Sequence, residues 1–494
     1  MSWRPLQPLE RVHFATEPRF SVEDWITALR ELLARGARPV AMFGQDEPGG
    51  GQRVWTALAL PGGGLCLTNT VFPSGERRSY PALSVDFPSM NYFECELYEQ
   101  TGIEPEGHPW LRPVRTGDGW RKNEAPYSFY RVEGGEVHEV AVGPVHAGVI
   151  EPGHFRFQCH GEEVLHLEIQ LGYQHRGIEK LVPRKTPAQQ LLLIESLAGD
   201  SVIAHATAFC SAREALTGIT PSLREQAVRG IAAELERVAM HLASLSGIAT
   251  DIGFGLPAAA FGALRTAIIN LTAEICGNRF GRGWIIPGGV RFDLDPSLIE
   301  KAVRILNGVL EKFSDIEALL FNSASALTRL EDTGTVTAEQ ARAIGLVGLA
   351  ARASGVASDA RADFPYGIYR YSSIPSLRLD SGDVYARAEL RALEIRLSIQ
   401  FIFEQLDNLP APKPGHPLKD MAGNAFTIAL TEGHRGEIAH VLITDEAGRL
   451  SQIKIKDPSF HNWHGLALAV REGGISDFPL CNKSFDLSYA GHDL

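Results

Sequence analysis

Apolar and polar positions along the chain fall into three regimes. After Ser21, with Glu23 and Asp24 next to it, Trp25, Ile26, Leu29, Leu32 and Leu33 recur at helical spacing, which predicts a capped amphipathic helix over 20–36. From about 38 to 90 the period shortens to PVAMFG, VWTALAL and GLCLTNTVF, apolar runs separated by Gly- or Pro-containing turns, which predicts strands. A short helix over 91–101 follows, and 117–136, polar and broken by Pro126 and several glycines, reads as a linker region. Strand-like runs return at 137–142 and 154–171. Helical periodicity then dominates from 186 to about 409, with segments at 186–197, after the capping Ser222, and at 258–275, 296–327, 338–353 and 386–406. Beyond 410–417 the runs AFTIALT, GEIAHVLIT and SQIKIK are strands again. The predicted class is α+β: a small α+β domain over 1–125, a linker over 126–136, and a mainly α-helical bundle with small sheets at its ends over 137–494.

One stretch breaks this pattern in an informative way. In ESLAGDSVIAHATAFC (195–210) an Ala-Gly-Asp-Ser interruption separates two apolar helical segments. Polar groups at such a break must find partners or line a pocket. An ordinary interhelical turn has the same signature.

Length and charge narrow the class. At 494 residues the chain exceeds a single core. A net charge of −12 argues against a nucleic-acid partner. No run approaches the 18 or so apolar residues of a membrane span, and the first residues have no signal-peptide apolar core. The expectation is a cytoplasmic protein that meets the membrane only through partners. Six cysteines, at 66, 95, 159, 210, 276 and 481, stand singly with no Cys-x-x-Cys pair. That leaves no case for a zinc ribbon, an iron–sulfur cluster or a redox dithiol on this chain.

Several stretches could carry chemistry. GPVHAGVIEPGHFRF (143–157) packs His146, Glu151, His154 and Arg156 into a Gly/Pro-punctuated turn. The five histidines at 146, 154, 160, 166 and 175 match no common metal-ligand spacing. Glu234, Arg237 and His241 share one helix face and read as a polar lattice. Arg352 lies at a Gly-rich helix end, and TEGHRGE (431–437) presents Arg435 between strands, where a guanidinium can be offered to an anion. No Gly-x-Gly-x-x-Gly opens a helix after a strand, so NAD chemistry would belong to another subunit.

Taken in order, GPVHAGVIEPGHFRF, LGYQHRGIEKL, AHATAF, ELERVAMHL, PGGVRFD, ARASGV with FPY, EGHRGE and DPSF resemble one family. It is the large subunit of membrane-bound energy-converting [NiFe] hydrogenases of the formate hydrogenlyase kind, with its relative, the quinone-site large subunit of respiratory complex I. FPSMNYFECELYEQTGIEPEGHPWLRP is similar to the small peripheral-arm subunit of complex I, fused ahead of the large one. The resemblance covers about 85–494.

The departures from that pattern set the expectations. The hydrogenases hold nickel and iron with two Cys-x-x-Cys pairs. Counting back from His205, the first pair falls on Ala198 and Ser201; the second, placed after Asp457-Pro458, falls on Ser459 and Asn462. All four thiolates are absent, and Ala, Ser and Asn cannot replace soft bridging sulfur. The complex I relatives use the emptied cavity for a quinone, held by a Tyr at the kink and a His in the preceding loop. Here the Tyr position is Gly199 and the His falls at Ile150, with Glu151 equally placeable. Glu151 also fits the Glu of the hydrogenases' Glu-Pro-x-His segment, their proposed proton relay.

The resemblance therefore implies an oxidoreductase subunit active only within a complex, passing electrons from a partner's [4Fe–4S] cluster to a quinone or other small acceptor, with no cofactor of its own. Glu151 would relay protons, Asp200, His205 and Arg435 would wall the cavity, and His146 and Arg352 would lie around it. The implied partners are an iron–sulfur small subunit, a ferredoxin-like subunit and antiporter-like membrane subunits on the cytoplasmic face of the membrane. The alternatives are a non-redox scaffold joining those modules, and a [NiFe] hydrogenase.

Overall fold

A computed structural model of the chain describes residues 4–14, 17, 19–75, 78–115, 129–146, 150–413 and 419–494. Positions 126–128 of the expected linker, 147–149 of the 143–157 loop and 414–417 lie outside the described residues. The α+β class is borne out.

Strand β1 (Arg4–Leu6) begins the chain and β2 (Val12–His13) follows. Helix α1 (Val22–Ala34) is the capped amphipathic helix: Ser21 accepts the Asp24 N–H at 3.1 Å, and Trp25, Leu29 and Leu32 are buried. Strands β3 (Arg38–Asp46), β4 (Gln52–Ala59) and β5 (Leu65–Phe72) form an antiparallel sheet with β1, in the order β1-β5-β4-β3. A parallel pair, β6 (Ser79–Pro81) and β7 (Glu104–Glu106), flanks α2 (Asn91–Thr101).

The larger part opens with an antiparallel sheet of β8 (Val137–Val142), β9 (His154–His160) and β10 (Glu163–Gln170). Helix α3 (Pro187–Ile194) starts at a Thr186 capping box, with Pro187 in its first turn. Then come α4 (Val202–Thr217), α5 (Leu223–Asp251) behind the Ser222 capping box, and α6 (Gly255–Cys276). A hairpin of β11 (Ile285–Ile286) and β12 (Gly289–Val290) leads to α7 (Pro296–Phe321). The segment expected to be one helix over 338–353 is two, Ala338–Ile344 and α8 (Gly348–Ala353), because Gly345 ends the first in the left-handed region. Helix α9 (Val384–Asp407) packs along α5. Strands β13 (Ala425–Glu432), β14 (Glu437–Thr444) and β15 (Leu450–Lys456) precede α10 (Ser459–Ala469), α11 (Phe478–Phe485) and α12 (Tyr489–Asp493).

Two features go beyond the expectations. The N-terminal part packs onto the C-terminal sheet: β2 pairs with β13, extending that sheet to β15-β14-β13-β2. Leu6, Val40 and Trp55 share one core with Phe426, Ile428 and Val441. Also, α6 is long and apolar enough by length and composition to cross a membrane, whereas no run stands out in the sequence; it packs between α5 and α7.

Candidate functional site

The interruption at 195–201 is a fixed bend between α3 and α4. Its first carbonyls are taken by Arg176, whose guanidinium donates to Ser196 O at 2.7 Å and Leu197 O at 3.0 Å. Asp200 receives a two-pronged contact from Arg435, at 2.7 and 2.6 Å. Ser201 Oγ lies 3.4 Å from Arg435 Nη1 and 3.5 Å from His434 Nδ1. The Asp200 side chain is 35% exposed. Burial resists its ionisation, but the Arg435 guanidinium prevails and holds its carboxyl below the usual range. On the other flank Glu236 of α5 accepts the N–H groups of Ile203 and Ala204, at 2.7 and 3.2 Å, capping the first turn of α4. Burial, reinforced by the nearby Asp200, pushes Glu236 up to about 8 against the pull of those donors.

Arg435 is placed by backbone. Its loop joins β13 to β14 through reciprocal Gly433 and Gly436 bonds, and Gly436 meets Gly348 so closely that a Cβ on Gly348 would lie 2.1 Å from the Gly436 Cα. Arg435 Nε also donates to the Asp486 carbonyl.

One turn into α4, His205 sits in a fully buried chain. Its Nε2 is 3.0 Å from Asp457 Oδ2 and its Nδ1 3.0 Å from His440 Nε2. Burial opposes the Asp457 charge, yet His205 and Arg435 draw its carboxyl down to about 2. Burial holds His440 well below the usual histidine range.

The second half of the expected vacated metal site, Ser459 and Asn462, is engaged in polar contacts. Asn462 is spent on the backbone of Val347, pairing with its N–H and C=O at 3.2 Å each, and Ser459 Oγ accepts the Ser488 N–H at 3.0 Å. The segment packed on the bend is 486–494: Arg435 ties Asp486 to Asp200, and the backbone N–H groups of Arg176 and Gly177 hold Leu494 O at 2.9 and 3.1 Å. That segment repeats the spacing of 457–462, as Asp486-Leu487-Ser488-x-x-Gly491. Ser459 and Ser488 therefore adjoin, and Gly491 lies beside Asp457, the carboxylate that meets His205. None of these positions supplies sulfur, and the six cysteines are buried elsewhere. A side chain at Gly491 would meet Asp457, its Cβ 2.7 Å from the carboxyl carbon. The donor set does not fit a nickel–iron centre.

The remaining expected residues divide. Glu151, half-buried, accepts the Ala490 N–H at 3.1 Å and so joins the same C-terminal segment. His146 stacks edge-on against Phe155 at 5.5 Å, with the Tyr489 ring 6.2 Å away, and its buried Nε2 has no partner among the described residues. Ile150 is 50% exposed. Gly199 is exposed, with nothing within 4 Å of where a Cβ would stand. Arg352 does not reach the bend. It is bound to Glu394 at 2.5 Å and lies 3.7 Å from Asp359 inside a fully buried ionic lattice.

That lattice enlarges the expected Glu234–Arg237–His241 face. Arg361 joins Asp359 at 2.7 Å and Glu234 at 3.1 Å, while His241 meets Glu394 at 2.7 Å. Three guanidiniums (Arg237, Arg352, Arg361) balance three carboxylates (Glu234, Asp359, Glu394). A fourth carboxyl, Glu432, is pushed up to about 8 by burial and by Asp359. Three cavities, of about 380, 930 and 770 Å³, lie elsewhere: Ala198, Gly199, Asp200, Ser201 and Arg435 line none of them.

Sequence reasoning missed Glu236, Asp486 and His440. Glu236 lies on the helix face opposite the polar stripe of Glu234, Arg237 and His241, and Asp486 is overshadowed by the more conspicuous Asp-Pro at 457–458.

The family described as "Respiratory-chain NADH dehydrogenase, 49 Kd subunit" matches residues 251–422, and that described as "Respiratory-chain NADH dehydrogenase, 30 Kd subunit" matches 19–128. The chain is 31% identical over 352 residues to a carbon monoxide-induced hydrogenase of Rhodospirillum rubrum, covering 71% of this chain and 97% of that protein. It is 27% identical over 481 residues to formate hydrogenlyase subunit 5 of Escherichia coli, covering 92% and 84%. It is 28% identical over 410 residues to the C/D subunit of the NADH-quinone oxidoreductase of Bacteroides thetaiotaomicron, covering 74% and 76%. The chain belongs to the family of complex I and energy-converting hydrogenase large subunits, with the 30 kDa and 49 kDa domains of complex I fused in one polypeptide.

Proposed function

We propose that this subunit passes electrons from a [4Fe–4S] cluster on a partner iron–sulfur subunit to a quinone or similar small acceptor at the bend, without a nickel–iron centre. The observation that carries this reading is the Asp200–Arg435 pair on a bend whose four metal-ligand positions hold no sulfur. Arg435 is a fixed, permanently charged donor group that can stabilise negative charge developing on an acceptor oxygen. Reduction of a quinone takes two electrons and two protons and yields a quinol. The electrons come from the cluster, and the protons must come through this chain. Glu151, half-buried where the 143–157 loop meets α12, is the group assigned to relay them. The complex would sit on the cytoplasmic face of the membrane through ferredoxin-like and antiporter-like subunits.

The test is turnover of a short-chain benzoquinone by the purified complex carrying Glu151→Gln. The reading expects a loss of tenfold or more with the partner cluster still reducible; wild-type turnover removes Glu151 from the relay.

The closed packing of the bend favours a second reading, a non-redox scaffold. Ser459, Asn462 and Ser488 satisfy one another or nearby backbone, Ser201 Oγ meets Arg435 and His434, and Asp457 fills the space beside Gly491. A partner subunit whose cluster cysteines are missing would support the scaffold, and intact cysteines would support electron transfer.

A further inference from the structure

We infer that Arg115, in the N-terminal part of the chain, is a positioning residue for the bend: it holds the short C-terminal helix in the place from which that helix holds the bend. The inference rests on the reading that the acceptor reacts there.

Helix α12 has five residues, too few to be stable alone, so its place is set by what grips it. Arg115 Nε donates to the His492 carbonyl at 3.0 Å, one of the C-terminal carbonyls a helix leaves unpaired. The arginine is itself fixed. It forms an ion pair with Glu96 of α2, its own N–H and that of Val114 are accepted by Glu99 at 2.9 and 3.1 Å, and its guanidinium lies 5.2 Å from the Phe460 ring centre. Phe460 in turn stacks on His492 at 5.7 Å. Burial lowers the tendency of the Arg115 guanidinium to stay charged, and the carboxylates of Glu179 and Asp493 offset only part of this.

The next residue carries the grip onward. The Asp493 carboxylate accepts the N–H groups of Gly172 and Gln174, each at 2.8 Å, and the Asp493 carbonyl accepts His175 Nδ1–H at 2.7 Å. These three residues lead into Arg176, whose backbone binds Leu494 and whose guanidinium holds Ser196 and Leu197. Each step from Arg115 to the bend is thus a hydrogen bond or a peptide link, and Asp493 is fully buried. The same helix supplies the Ala490 N–H to Glu151, so displacement of α12 would move relay and bend together.

Arg115→Lys keeps a cation for Glu96 but loses the planar fork that reaches His492. Arg115→Met removes both. In the intact complex, hydrogen exchange at 489–494 and at the Gly172, Gln174, Arg176 and Gly177 amides is expected to accelerate tenfold or more in Arg115→Lys, with β3–β5 unchanged. The KM for a short-chain benzoquinone should rise threefold or more, with a smaller change in kcat. If Arg115→Met fails to fold, the lysine variant carries the test. Unchanged exchange at those amides overturns the inference. Faster exchange with wild-type KM and kcat also overturns it, because the grip would then not position the site. A wild-type complex that never reduces the quinone refutes the proposed function instead, and exchange alone then decides the grip.

Discussion

Arg435 and Asp200 are joined by two hydrogen bonds of 2.7 and 2.6 Å across the bend between α3 and α4, and Arg435 is the buried member. Removing it as Arg435→Met leaves a carboxylate that is one-third exposed and can recruit water, so the expected cost is about 1–3 kcal/mol, below that of a fully buried pair. Arg435→Lys should retain most of the stability and lose the two-pronged geometry. Chemical denaturation separates the two variants, and quinone turnover should fall in both.

Gly348 and Gly436 are expected to tolerate no side chain. Gly348 has φ +63° and its Cβ would overlap the Gly436 backbone; Gly436 has φ +141° with its Cβ 2.9 Å from the Gly348 Cα. Gly348→Ala should destabilise by about 1–3 kcal/mol or more and weaken Arg435 placement. A denaturation midpoint together with turnover checks both.

Gly199→Tyr should be silent for folding, because the space around its Cβ is open and its φ is ordinary. Stability is expected to stay within about 0.5 kcal/mol. If acceptors bind at the bend, the new phenol should lower the KM for a benzoquinone; an unchanged KM would speak for the scaffold.

Much of this architecture was legible in the sequence. The α1 helix, the strand-rich N-terminal part, the helix starts at 186 and after the capping Ser222, and the interruption at 195–201 all follow from local spacing and capping chemistry. What was not legible depends on long-range packing. Arg352 and Arg435 look alike as loop arginines, yet one is drawn into the Glu394 lattice and the other to Asp200. The pairing of β2 with β13 joins segments more than 400 residues apart, and a two-residue strand carries no local signal of it. Asp-x-Ser-x-x occurs at both 457 and 486, and only the fold places the second against the bend.

Glu432 should make stability fall as pH rises. Its folded-state value, about 8, lies above that of an exposed carboxyl, so between about 4.5 and 8 the unfolded chain releases this proton more readily and the native state loses ground. Glu432→Gln keeps the three-to-three charge balance of the lattice and removes that slope. Its stability relative to the parent should rise through this window and level off above it. Glu236 titrates in the same range and is common to both proteins, so the difference isolates Glu432.

Asp457 has the opposite sign. With its carboxyl drawn down to about 2, its contribution is present above the ordinary carboxyl range and lost as pH falls toward 2. Asp457→Asn leaves His205 and His440 buried without their carboxylate, at a cost of about 3–5 kcal/mol. Chemical-denaturation midpoints of the two proteins should converge as pH falls toward 2.

The central claim, a hydrogenase-type fold whose vacated site passes electrons without metal of its own, is tested most directly by metal analysis of the purified complex alongside quinone turnover. The account predicts nickel far below one atom per chain in preparations that reduce a short-chain benzoquinone. One retained nickel per chain, lost together with activity on chelation, would contradict it.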